Sequence, residues 1–196
     1  MLKTRIKFGF FSLLIAVTMI ISANEYTYIS FLAAAIHEAG HLFAAKILKI
    51  KLTELKFDFL GARLIVSRNI ISYSQEIILC AFGPLFNFLS AIMVYTASQR
   101  LKTDHSLISF FIFASIALGI LNLLPIKSFD GGRITEAALC FVLSPSSSKK
   151  VLEMLSFTTV FLLWCISVYF LLIYSSSLSL FVFSISLFFT LFVTEV

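Results

Sequence analysis

Charged residues are scarce in this sequence. They make up 13% of its 196 residues, while hydrophobic residues make up 60%. Soluble domains carry about 25% charged residues, so the composition argues against a soluble globular protein and is typical of an integral membrane protein. The net charge of +5 is spread along the chain and does not form the clustered basic patch that binds nucleic acid. We therefore expect the lipid bilayer, and no nucleic acid, as a partner.

Residues with metal-binding side chains are also few. The chain has three cysteines, which are isolated and lack the CxxC spacing of cysteine zinc sites: Cys80, Cys140 and Cys165. We predict that they are buried small hydrophobes. There are only three histidines, and His105 lies in a loop predicted to face away from the cytoplasm. His37 and His41 are left as the candidate imidazole ligands.

Long apolar runs, by contrast, are abundant. A helical membrane span needs roughly 20 apolar residues. Six runs come close to that length: Phe8–Ala23, Tyr28–Leu48, Ile77–Ala97, Leu107–Leu124, Leu155–Tyr174 and Leu178–Val193. We expect the first run to be an uncleaved signal anchor, although Ser22-Ala23-Asn24 offers small residues for cleavage. In the third run, Gly83-Pro84 predicts a bend or an unwound turn.

Residues 51–67, between the second and third runs, have a different pattern. Apolar and charged residues alternate from Leu55 to Phe59, and Gly61 can turn the chain. We predict an all-α polytopic membrane protein with about six transmembrane helices and a short interfacial β-hairpin here. The hairpin either accepts an extended substrate strand or is purely structural. We predict one integral membrane domain over 1–196, with a catalytic core at about 28–143 and a C-terminal helical pair at about 151–194.

Basic residues predict the orientation of the chain in the membrane. Thirteen of the 15 Lys and Arg residues fall on one side if the N-terminus is cytoplasmic, and only Arg100 and Lys102 fall on the other. Because short cytoplasmic loops are enriched in Lys and Arg, we expect a multi-pass membrane protein with both termini in the cytoplasm.

The second apolar run contains the segment His37-Glu38-Ala39-Gly40-His41, an HExxH motif. Residues four apart share one face of a helix, so both imidazoles can bind one metal ion. Ionisable groups at mid-bilayer are costly, at about 2.5–3.5 kcal/mol each on insertion scales. The alternative is that the two histidines only pack in a helix bundle and are each hydrogen-bonded. We favour a bound cation, because it would compensate the cost of burying these groups. Glu38 lies beside this face and can act as a general base.

Catalytic zinc usually has three protein ligands and one open position. Asp130 follows the fourth apolar run and precedes Gly131 and Gly132, which allow close backbone approach. We favour Asp130 as the third ligand, and the alternative is that it caps the helix that follows.

Three motifs in sequence order resemble the site-2 protease family of intramembrane zinc metalloproteases: HEAGH, Gly83-Pro84-x-x-Asn87 and Asn122-x-x-Pro125-x-x-x-x-Asp130-Gly131. The chain looks most like the compact bacterial branch that includes the sporulation protease processing a membrane-tethered pro-sigma factor. The resemblance implies one zinc ion on His37, His41 and Asp130, and Glu38 as general base. It also implies that Asn87 and Asn122 line or support the site.

The predicted function is therefore hydrolysis of peptide bonds within or at the edge of the bilayer, in membrane-spanning or membrane-tethered proteins of a bacterial cell membrane. A regulatory membrane protein is a possible further partner. A protease of the prenyl-protein type would need Glu136 or Glu153 as the third ligand, and neither has the expected setting. A metal transporter would need polar or ionisable residues in several spans, and the last two predicted spans have almost none. A catalytically inactive, metal-binding or chaperone-like relative is the remaining alternative.

Overall fold

The computed structural model describes residues 5–8, 24–50, 52–58, 61–66, 71–101, 106–174 and 178–193. Its contacts divide the chain into two compact units, Met1–Asn122 and Leu123–Val196. The first predicted span, apart from Phe8, and the small residues Ser22 and Ala23 lie outside the described residues.

The described residues of the first unit form a three-stranded sheet and three helices. The strands are β1 (Arg5–Phe8), β2 (Leu52–Asp58) and β3 (Gly61–Val66). The helices are α1 (Glu25–Ile47), α2 (Tyr73–Leu101) and α3 (Ser106–Asn122), and each packs on the other two. In the sheet, β1 runs parallel to β2, and β2 runs antiparallel to β3 with Asp58 opposite Gly61.

The predicted fold class is wrong in its strands. We expected a two-stranded hairpin in an otherwise all-α protein, but β1 adds a third strand with Arg5 opposite Glu54. The parallel pair needs a long crossover, which the chain between Phe8 and Leu52 provides. The alternation Arg5-Ile6-Lys7-Phe8 was the available sequence signal for this strand.

The fold class is also wrong in its number of spans. Among the described helices, Tyr73–Leu101 and Pro145–Ile173 are long and apolar enough to cross a membrane. The helices α3 and α6 have 17 and 16 residues, which at 1.5 Å per residue reach only about 25 Å of a hydrocarbon core of about 30 Å. Hydropathy along the sequence did not separate these short helices from full spans.

Helix α1 has well-formed ends. The Oδ1 of Asn24, at the N-cap, accepts a hydrogen bond from the backbone N–H of Tyr26 (3.1 Å). At the C-terminus Lys49 has a φ of 53°, and the N–H of Ile50 donates to the carbonyl of Ala45 (2.9 Å). This is a Schellman termination, and Ile50 packs on the buried cluster of Ala44, Ala45 and Leu79. The HExxH segment therefore lies inside a helix that is fixed at both ends.

Helix α2 continues through Pro84, so an unwound turn there is wrong, and the alternative of a bend stays a prediction. The proline ring removes only one backbone donor, the N–H that would bond to the carbonyl of Cys80, and the helix resumes on both sides. Cys80 is buried as predicted, but Cys165 is exposed.

The described helices of the second unit are α4 (Asp130–Leu139), α5 (Pro145–Tyr174) and α6 (Leu178–Val193). Helix α5 packs against both of the others. The polar composition of Ser144–Lys150 suggests a linker, but that interpretation is wrong, because α5 begins at Pro145. Proline suits the first helical position, and the Oγ of Ser144 accepts a hydrogen bond from the N–H of Ser147 (3.3 Å). The serines therefore begin a helix instead of interrupting one.

Candidate metal centre

The two imidazoles of the HExxH motif lie side by side on α1, one helical turn apart. Both are buried, with His37 5% exposed and His41 7% exposed. Glu38, between them in sequence, is half-buried. The i, i+4 spacing thus does what the sequence predicts: it puts both rings on the face of α1 that packs within the first unit.

The nitrogens of the two rings converge. The Nε2 atoms of His37 and His41 are 3.2 Å apart, and the ring planes make an angle of 81°. Two ligand nitrogens at about 2.0–2.1 Å from a tetrahedral zinc ion are separated by about 3.3 Å. The observed separation therefore fits two ligands of one ion.

A backbone carbonyl of α2 orients the His41 ring. The Nδ1 of His41 lies 2.8 Å from the carbonyl oxygen of Leu79. Because a carbonyl only accepts, the ring must donate from Nδ1–H. In the neutral ring the Nε2 of His41 is then the unprotonated nitrogen, which is the form that binds a metal.

The His37 ring is oriented by a side chain of α2. The amide nitrogen of Asn87, which is fully buried, lies 3.2 Å from the Nδ1 of His37. In this arrangement the amide donates, and His37 carries its proton on Nε2, where it donates to His41. The amide oxygen of Asn87 has no hydrogen-bond partner in the described part of the chain.

Metal binding requires a different state of the His37–Asn87 pair. A neutral imidazole that uses Nε2 as a ligand must carry its proton on Nδ1. A half turn of the Asn87 amide exchanges its oxygen and nitrogen, so that the oxygen accepts from Nδ1–H of His37. Both Nε2 atoms would then be available to hold a metal ion. The pair can thus form both the hydrogen-bonded and the metal-binding arrangement without any backbone movement.

Gly83 keeps the space beside the two Nε2 atoms open. A Cβ at this position would lie 2.8 Å from the Nε2 of His37 and would collide with the Nε2 of His41. Leu79, Gly83 and Asn87 follow one another at intervals of four on α2, and all three are buried. The motifs indicated a role at the site for Asn87 but not for Leu79 or Gly83. The spacing of four from Asn87 back through Gly83 was the signal that could have found them.

In the second unit, Asp130 is the first residue of α4 and is 9% exposed. The N-cap residue is Phe129, which makes no side-chain capping hydrogen bond. Asp130 therefore does not occupy the N-cap position that the alternative interpretation gave it. An acidic residue in the first turn of a helix is favoured by the helix dipole.

The other predicted residues occupy different settings. The amide nitrogen of Asn122 donates to the carbonyl of Leu118 within α3 (3.0 Å). Glu153, a ligand candidate only in the prenyl-protease interpretation, faces the Nζ of Lys127 at 3.6 Å. His105 lies outside the described residues.

The donor types suit zinc. Two imidazoles and a carboxylate are ligands that zinc accepts, and they leave one of four positions open for water or substrate. The groups around the two rings also suit metal-bound histidines, because the carbonyl of Leu79 accepts from the Nδ1–H of His41 and the amide of Asn87 can accept from His37 through its oxygen. The residues present therefore fit a catalytic zinc ion.

The known proteins that this chain resembles are metalloproteases. The sequence profile of peptidase family M50 matches residues 99–166, a segment that contains Asp130 but not the two histidines. The resemblance to the site-2 proteases of this family, which the motifs indicated, is confirmed.

Two relatives come from Methanocaldococcus jannaschii. The chain is 28% identical over 112 residues to a zinc metalloprotease, and the alignment covers 56% of this chain and 32% of that protein. It thus spans about a third of the length of that relative. Its fold is similar to that of a site-2 protease, with a TM-score of 0.64 and 21% identity over 95% of this chain and 88% of the other. At that identity the likeness shows the fold alone.

Proposed function

We propose that this protein is an intramembrane zinc metalloprotease that hydrolyses peptide bonds in membrane-spanning or membrane-tethered proteins. The observation that carries the proposal is the pair of buried Nε2 atoms 3.2 Å apart, with each ring held from its Nδ1 side by α2. A pair of histidines that served packing alone would not need its second nitrogens fixed in this way.

We assign His37, His41 and Asp130 as the ligands of one zinc ion. When bound, zinc polarises the scissile carbonyl and lowers the pKa of the attacking water to about 7. Glu38 accepts a proton from that water and passes it to the leaving amine, so it ends the reaction unchanged. Asn87 positions His37, and the support role of Asn122 stays a prediction of the family resemblance.

The setting of the reaction is part of the proposal. Two helices long and apolar enough to cross a membrane, together with the site-2 protease resemblance, support a membrane location. The distribution of Lys and Arg supports a multi-pass chain with both termini in the cytoplasm of a bacterial cell. A substrate helix must unwind near the site, because its peptide groups are otherwise occupied by its own hydrogen bonds. A regulatory membrane protein could control that access.

The test is co-expression of the full chain with candidate single-span membrane proteins, followed by detection of their cleavage products. Glu38→Gln removes the proton acceptor and keeps the shape of the side chain. We expect cleavage to fall by a factor on the order of 10²–10⁴, while the zinc content of the purified protein stays at that of the parent.

Glu25→Gln is the matched control, because Glu25 lies on the same helix in its exposed first turn. This variant should cleave like the parent. Cleavage that persists in Glu38→Gln would remove Glu38 from the mechanism. A parent protein that neither binds zinc nor cleaves any candidate would favour the inactive relative.

A further inference from the structure

The segment that leads to Asp130 is attached to helix α5 through one hydroxyl group. The Oγ of Ser156 donates to the carbonyl of Pro125 (3.1 Å) and accepts a hydrogen bond from the backbone N–H of Lys127 (3.0 Å). Ser156 is fully buried. The hydroxyl therefore uses both its donor and its acceptor capacity on the two residues that flank Ile126.

This hydroxyl replaces partners that the segment lacks. Residues 123–129 join Asn122 to α4 and contain neither strand nor α-helix. A buried backbone N–H or carbonyl without a partner is costly. Within the segment, the N–H of Ile126 bonds to Leu124 and the N–H of Phe129 bonds to Ile126. Ser156 adds two hydrogen bonds to this set and so attaches the middle of the segment to α5.

The fixed segment lies directly against the first turn of α4. A Cβ on Gly131 would collide with the carbonyl of Leu123, and a Cβ on Gly132 would collide with the carbonyl of Ile126 and lie 2.9 Å from the nitrogen of Lys127. The two glycines follow Asp130 immediately. Any shift of the backbone at 125–127 is therefore passed to the first turn of α4, and so to the Asp130 carboxylate.

A second, weaker contact lies on the same face of α5. The Nζ of Lys127 is 3.6 Å from the carboxylate of Glu153, one helical turn before Ser156. Both groups are partly solvent-exposed, and exposed ion pairs contribute little. The buried hydroxyl is therefore the contact that matters.

We propose that Ser156 is a positioning residue for Asp130: through Pro125 and Lys127 it fixes the place of the carboxylate that completes the zinc site. This inference rests on the proposed ligand role of Asp130. Residues that hold metal ligands in place typically change metal affinity by about 10–100-fold when removed. Since Ser156 acts through the backbone, the lower end of that range is expected.

The experiment measures zinc affinity of the purified full-length protein by competition with a chromophoric chelator. Ser156→Ala should weaken zinc binding by about 10-fold, and Ser156→Thr, which keeps the hydroxyl, should restore part of the loss. The visible absorption of the Co²⁺-substituted protein should shift in Ser156→Ala toward that of Asp130→Ala, because the first change loosens the carboxylate that the second removes. If Ser156→Ala does not accumulate in folded form, Ser156→Cys takes its place with the same expectations.

Ser148→Ala is the matched control. Ser148 lies on the same helix and is equally buried, and its hydroxyl has no hydrogen-bond partner in the described part of the chain. Its zinc affinity should equal that of the parent.

A double-mutant cycle separates the inference from the proposed function. In an Asp130→Ala background, Ser156→Ala should have no further effect on zinc affinity. An equal loss in both backgrounds, or no loss in the wild-type background while Asp130→Ala loses zinc, would overturn the positioning role alone. If Asp130→Ala binds zinc like the parent, Asp130 is not a ligand, and both this inference and that part of the proposed function fail.

Discussion

Two regions of this molecule bury polar side chains among apolar helices, and they do so differently. On the α1–α2 face, Asn87 and the carbonyl of Leu79 contact imidazoles of the neighbouring helix. In the α5–α6 pair, the hydroxyls of Ser167 and Ser184 bond to carbonyls of their own helices (2.7 and 2.8 Å) and lie 3.0 Å apart.

This difference shows how buried polar groups of a metal site differ from buried polar groups that only pack between helices. Serine hydroxyls that bond within their own helix are satisfied wherever that helix lies. Imidazoles held from outside at Nδ1 keep their Nε2 atoms in a fixed position, as a metal site requires. Burial of polar groups is common to both regions, and only convergence of donor atoms marks the first as a candidate centre.

The largest effect is expected for Gly83→Ala, which tests whether the two imidazoles on the α1–α2 face form a metal site. The added methyl group would occupy the space beside the two Nε2 atoms and displace at least one ring. We expect zinc affinity to fall by on the order of 100-fold or more, measured by chelator competition on the purified protein.

The control for this change is Gly119→Ala, another helical glycine. There the added Cβ would meet the ring of Phe88, 2.9 Å from its Cε1, and zinc affinity should stay at the level of the parent. Parent-like zinc binding in Gly83→Ala would show that the ion does not sit between these two imidazoles.

A somewhat smaller effect is expected at Asn87. Asn87→Leu removes the group that fixes the protonation of His37 and should weaken zinc binding by about 10–100-fold. Asn87→Asp offers only acceptor oxygens, which suit the Nδ1–H of a metal-bound His37, and should bind zinc at least as well as the parent. Isothermal titration of the two variants checks this difference. If Asp were as damaging as Leu, the amide nitrogen and not the oxygen would be the group that His37 needs.

The smallest effect is expected in the α5–α6 pair. Ser167→Ala should leave zinc affinity unchanged and lower the free energy of unfolding by about 0.6 kcal/mol, the average for a hydrogen bond between membrane helices. Unfolding in mixed micelles measures the stability change. A loss of zinc in this variant would mean that the serine pair is not simply packing.

The sequence predicted the candidate centre better than the fold around it. HExxH is a local pattern whose geometry follows from one helix, so the side-by-side position of His37 and His41 was predictable. Asn87 was found through its motif. The role of the Leu79 carbonyl was not predictable, because a backbone acceptor leaves no trace in residue type.

Prediction failed where the answer depended on distant parts of the chain. Strand β1 is stabilised by pairing with β2, more than forty residues later, so a four-residue alternation at Arg5 carried too little signal. The serine-rich segment at 144–148 suggested a linker, but Ser144 and Pro145 begin α5. A serine-rich composition suits a linker and a helix N-terminus equally, and only the capping geometry distinguishes the two.

The equal spacing of Leu79, Gly83 and Asn87 makes the length of this segment as important as its composition. Each residue added to a helix rotates everything beyond it by about 100°. One insertion between Leu79 and Asn87 would therefore turn the amide away from His37 while the carbonyl still faced His41. Loss or gain of a single codon there should be far more damaging than most substitutions in the same stretch.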